Sequence, residues 1–138
     1  MTTATESIQK AFDIALKQFG ASNGIVIALE NINAPTSTST PYLAGFFLPA
    51  PIDQADLYFT DRRSGIYQID IRYASHLGSA PLNKMTDLLN VAFKPSTTLT
   101  RNEICAEITN FSFGRVTVEN GWATRPVSIT FDSYTARL

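Results

Sequence analysis

The sequence predicts an α+β fold: a mostly antiparallel β-sheet with two α-helices packed on one face, plus a projecting β-hairpin. Three observations carry this expectation. Tyr67, Ile69, Ile71 and Tyr73 alternate with Gln68, Asp70 and Arg72, the period-two pattern of a strand with one dry face and one wet or partner-covered face. Two other segments repeat apolar residues at helical spacing. The order along the chain is helix, several strands, helix, several strands, which sets helices against one face of a sheet.

The first element is an amphipathic helix over residues 4–19, with Ile8, Phe12, Ala15, Leu16 and Phe19 on one side. Thr3 and Glu6 have capping-box spacing at its start, and Gly20 is the expected closing residue. Ile25 to Glu30 reads as a strand beneath this helix, ending at Asn31. Residues 33–41, bounded by Pro35 and Pro41 and rich in Ser and Thr, have no periodicity and read as an exposed loop. Tyr42 to Leu48 is an apolar, aromatic strand that Pro49 and Pro51 end, because proline cannot donate to a ladder. Asp56-Leu57-Tyr58-Phe59 is expected to pair with 66–73 across a turn at Asp61 to Gly65, forming the projecting hairpin.

Ser79 followed by Pro81 opens a second helix, where Leu82, Met85, Leu88, Leu89 and Ala92 form a core stripe before Pro95. The remainder is strand: 104–113, 115–119 and 122–134. Asn120-Gly121 forms a two-residue hairpin turn between the last two, since both residues tolerate positive φ. No internal repeat is present.

At 138 residues the chain suits one domain, 1–138, able to bury about two-thirds of its unfolded surface without a disulfide framework. Its single cysteine, Cys105, cannot pair within the chain, which fits folding in a reducing compartment and synthesis in a cytoplasm. Met1 to Lys10 lacks the basic and apolar regions of a secretion signal, and the longest apolar run, 44–51, is too short to span a bilayer. With 11 basic and 12 acidic side chains the net charge is −1, so there is no cationic excess to hold a polyanion. The charge is nonetheless uneven: no Lys or Arg falls between Lys17 and Arg62, whereas Glu30, Asp53, Asp56 and Asp61 do.

Catalytic chemistry finds little support. His76 and Cys105 are the one histidine and the one cysteine, and nothing in the sequence brings them together as a base and thiol. Asp53, Asp56 and Asp61 match no calcium-loop spacing and read as solvated carboxylates. No phosphate loop, serine elbow, metal-spaced Cys/His set or dinucleotide fingerprint occurs, so no cofactor, metal or catalytic residue is assigned. The surplus of strand aromatics points instead to contacts between molecules. Tyr58, Phe59, Asp61, Arg62, Arg63 and Trp122 are the candidate interface residues, with Arg62-Arg63 placed at the hairpin turn.

The chain resembles the small tail-terminator proteins of long-tailed bacteriophages over nearly its whole length. The resemblance rests on Pro41-Tyr42-Leu43, on the segment Arg62 to Ile71, on a following helix ending in Ala92-Phe93, and on Asn120-Gly121-Trp122 with Arg125 to Phe131. It implies a structural virion protein without an active site. Such a protein assembles as a ring, usually a hexamer, that caps the tail tube, ends its polymerisation and meets the head–tail connector or stopper. The implied partners are other copies of the chain, the tail tube protein and the connector, at the head-proximal end of the tail. Glu30, Asp53 and Asp56 would then line an acidic lumen, with Asp61 beside them. Two other readings stay open: a tail-tube or head-completion protein, and, from a different class, a small-molecule-binding or enzymatic α+β domain with a pocket near His76 or Cys105.

Overall fold

The computed structural model describes residues 3–29, 40–50, 52–54 and 60–136. Helix α1 spans Ala4–Asn23 and α2 spans Ala80–Ala92. The strands are β1 (Val26–Ala28), β2 (Tyr42–Pro49), β3 (Asp53–Gln54), β4 (Thr60–Ala74), β5 (Thr98–Arg101), β6 (Ile104–Phe113), β7 (Thr117–Glu119) and β8 (Trp122–Ala136). Among the described residues they join in one eight-stranded sheet of order β1-β2-β4-β8-β6-β5, with β3 added beside β4 and β7 beside β8. All pairings are antiparallel except β1 with β2. The fold is therefore the α+β class expected.

Both helices lie on one face of the sheet. Ile8, Phe12, Leu16 and Phe19 of α1 and Leu82, Met85 and Leu89 of α2 join Leu43, Tyr67, Ile69, Ile71, Ile108, Val127, Ile129 and Phe131 in a single buried cluster. Phe12 stacks on Tyr67 with ring centroids 4.9 Å apart and also touches Phe131. The Tyr67 hydroxyl donates to Asp13 Oδ1 at 2.5 Å, which pins α1 to the middle of the sheet by a charge-assisted bond.

The capping box forms as its spacing predicts: the Thr3 hydroxyl accepts from the Glu6 amide, and Glu6 accepts from the Thr3 amide. The end of α1 departs from expectation. Gly20 is a buried helical residue, and Gly24 takes the left-handed conformation (φ 66°) that closes the helix. Gly20 is needed for proximity: a Cβ there would meet Ile27 Cγ1 at 2.5 Å and the Ile25 carbonyl at 2.9 Å.

A second correction concerns the hairpin. Residues 61–65 are not a turn but part of a 15-residue strand, β4, paired without interruption to β8. The hairpin partner of β4 is β3, opposite Asp61 and Arg62, so the connection falls at 55–59, outside the described residues. Gly65 serves the strand itself, because a Cβ would lie 2.6 Å from the Leu48 carbonyl where β2 leaves the sheet. A third correction is β5, a strand not predicted from the sequence, which pairs with β6 through Asn102-Glu103, both at positive φ. The expected loop at 33–41 and strand at 56–59 lie almost wholly outside the described residues.

Candidate assembly surface

Period-two alternation assigns the second face of the sheet, on which no described element packs. It carries Tyr42, Ala44, Phe46 and Leu48 from β2; Arg62, Ile66, Gln68, Asp70 and Arg72 from β4; and Trp122, Ser128, Thr130, Asp132 and Tyr134 from β8. At one end Trp122 meets Tyr42 edge to face, with centroids 5.2 Å apart, beside Ala28 and Ala44. At the other, Leu48, Ile66 and Tyr134 are exposed.

A polar chain crosses the centre. Gln68 Nε2 donates to Asp70 Oδ1 at 2.9 Å, Arg72 lies 3.8 Å from the other Asp70 oxygen, and Arg72 Nη1 donates to the Tyr42 hydroxyl at 3.1 Å. The Arg72 guanidinium also lies over the Tyr42 ring. Arg62 and Asp132 form a 2.9 Å ion pair on the same face. With Glu107 of β6 and Glu119 of β7, the two arginines Arg62 and Arg72 stand on this face against four carboxylates, Asp70, Glu107, Glu119 and Asp132, and these six side chains sum to −2.

The residues singled out from sequence divide between faces. Arg62 and Trp122 stand on the uncovered face, whereas Arg63 and Asp61 occupy strand positions turned toward the helices. Arg63 donates to the Thr5 hydroxyl of α1 at 2.9 Å, and Asp61 is buried. Arg62-Arg63 is thus a pair of cross-links to opposite faces rather than a basic turn. Asp53 is the strand partner of Arg62 across β3 and β4. Tyr58, Phe59, Glu30 and Asp56 lie outside the described residues. Tyr42, Phe46, Leu48 and Ile66 were not singled out. Their signal was that Tyr42 to Leu48 is apolar at both alternating sets of positions, more than one covered face needs.

His76 and Cys105 are far apart. His76 follows the end of β4 that pairs with Trp122, while the Cys105 carbonyl accepts from Ser133 at the opposite end of β8. Eleven residues of strand separate those positions, roughly 35 Å at 3.3 Å per residue. Cys105 is exposed beside Glu107, Asp132 and Tyr134, with its sulfur 3.4 Å from the Thr100 hydroxyl. A cleft of about 670 Å³ lies between the end of α1 and the start of α2 and is lined by Asn23, Tyr73, Pro81, Lys84, Met85 and Leu88. Burial pushes the Tyr73 phenol above its ordinary value. Among the described residues no three His, Cys, Asp or Glu side chains are grouped to hold a metal ion.

A sheet with one face under helices and the other presenting a fixed array of aromatic and paired charged groups fits a structural α+β protein that works by contact. The sequence matches the phage tail terminator protein family over residues 7–131, and the chain belongs to that family. It is accordingly a structural protein of phage tail completion and a component of the virion tail. One solved structure superposes with a TM-score of 0.77 at 19% sequence identity, covering 96% of this chain and 97% of that one, a likeness of fold. No curated protein matches the sequence.

Proposed function

We propose that this chain closes into a ring, six copies in number as the resemblance implies, that caps the finished tail tube, stops its polymerisation and presents a surface to the head–tail connector. Its partners are then copies of itself, the tube protein and the connector, at the head-proximal end of the tail. The observation that best supports this reading is the division of the sheet into a helix-covered face and an uncovered, net-acidic one. A channel subunit needs that division: the helices face outward and the polar face lines a lumen. DNA sliding past carboxylates gains no counterion-release energy and does not stick. The lumen set then includes Asp70, Glu107, Glu119 and Asp132, with Asp53, Glu30 and Asp56 proposed to join it.

Light scattering over a concentration series, with and without magnesium and with purified tube protein, tests this beside negative-stain microscopy. A closed ring with a central hole that sits on tube ends is the expected result. A monomer under every condition, or open-ended polymerisation into tubes, overturns it.

A further inference from the structure

We infer that neighbouring copies join through their sheet edges, the β7 edge of one copy adding as a strand to the β1 edge of the next, so that one continuous sheet runs around the assembly. The inference deepens the ring reading above and rests on it.

One row of the sheet crosses the molecule through Val26, Tyr42, Arg72, Thr124 and Thr117, that is, through β1, β2, β4, β8 and β7. Both ends of that row are edges among the described residues, where β1 pairs only with β2 and β7 only with β8. An unpaired edge is a template for another strand, and natural proteins blunt such edges with lysine, proline or a covering element. Neither edge strand here contains lysine or proline. Thr117, Val118 and Glu119 are all exposed, Val118 at 68%, and Val26 is exposed at 44%.

The backbone of β7 is aimed outward. Asn120 (φ 52°) and Gly121 (φ 82°) make a two-residue turn of the I′ kind, so Glu119 and Trp122 exchange hydrogen bonds, as do Thr117 and Thr124. Val118, opposite Ala123, is then the residue whose N–H and C=O point away from β8. Directions also match. β1 runs with β2, and each later step of the row is antiparallel, so β1 and β7 run in opposite senses and would pair antiparallel. Because the two edges differ, the contact is head-to-tail, the kind that closes into rings. Five strands per copy at about 4.8 Å spacing give six copies a backbone diameter of at least about 45 Å, with the uncovered face inward.

Amide exchange on the unmodified protein tests this. On passing from monomer to ring, peptides covering 24–29 and 115–119 should slow together, by about tenfold or more. Val118→Pro should abolish the ring while the monomer keeps its circular dichroism, because that amide makes no bond to β8 and proline is tolerated at edges. A ring that forms with both segments still exchanging at the monomer rate leaves the ring reading standing and overturns the edge pairing. So does a ring that survives Val118→Pro, or protection of 115–119 that arises only when tube protein is added. Failure of any ring to form overturns both.

Discussion

Tyr67→Phe isolates one of the bonds that tie α1 to the sheet. Tyr67 is 1% exposed, its ring stacks on Phe12, and its hydroxyl donates to Asp13 at 2.5 Å. Phenylalanine keeps the ring and its stacking, so the substitution removes only the hydroxyl and what it bonds. A hydrogen bond to a charged group contributes about 1.5–3 kcal/mol. Asp13 is only partly buried and can recover water, which places the loss near the lower bound, about 1.5 kcal/mol. For 138 residues the unfolding entropy is about 0.3 kcal/mol/K, so Tm should fall by about 5 °C. Urea melts of the wild type, Tyr67→Phe, Asp13→Ala and the double variant give the coupling directly, since alanine leaves no acceptor for the hydroxyl. A coupling below about 0.5 kcal/mol would refute the claim that this pair anchors the helix.

Three further outcomes follow from the same geometry. Gly24→Ala should cost about 1 kcal/mol in a chemical melt for its left-handed backbone, whereas Gly20→Ala should cost about 1–3 kcal/mol by driving a methyl against Ile27 and the Ile25 carbonyl. Arg62→Ala should lower stability by less than about 1 kcal/mol, since its pair with Asp132 is 42% and 23% exposed; a larger loss in thermal melting would mean the face is drier than the structure shows. Tyr73 titrates above its ordinary value because the folded state favours the neutral phenol. Its contribution is therefore fully present below the unfolded phenol's pKa near 10 and is lost as pH rises through the folded value, and Tyr73→Phe should flatten that alkaline decline in stability.

What was legible in the sequence was local. The Thr3/Glu6 cap, the Asn120-Gly121 turn and the alternation from Ile66 to Tyr73 each depend on residues a few positions apart, and each forms as read. What was not legible depended on distant partners. Gly20 and Gly24 look alike as helix stops until Ile27 is seen packed on the first of them. Gly65, among polar neighbours, resembled a turn residue, but it is glycine because the backbone of β2 passes over it. The parallel pairing of β1 with β2 had one trace in the sequence: the connection between them is far longer than a hairpin needs, which leaves room for a crossover. The candidate surface was half legible. Gln68, Asp70 and Arg72 were recognisable as one face, but their assembly with Tyr42 and Trp122 required the strand order.

The chemistry of the uncovered face bears on what can lie against it. Gln68, Asp70, Arg72 and Tyr42 satisfy one another only in part, and the Gln68, Asp70 and Arg72 side chains stay partly open to solvent. Sealing such groups beneath a dry protein surface costs about 1–3 kcal/mol for each polar group left unpaired, and more for a charge. A hydrated channel imposes no such cost, because water completes the remaining bonds. Association through the β1 and β7 edges avoids it as well, since backbone amides and carbonyls there gain partners without removing the charged face from water. The aromatic pair of Tyr42 and Trp122 lies on the row joining the two edges, so a strand added there would extend the sheet beside apolar surface.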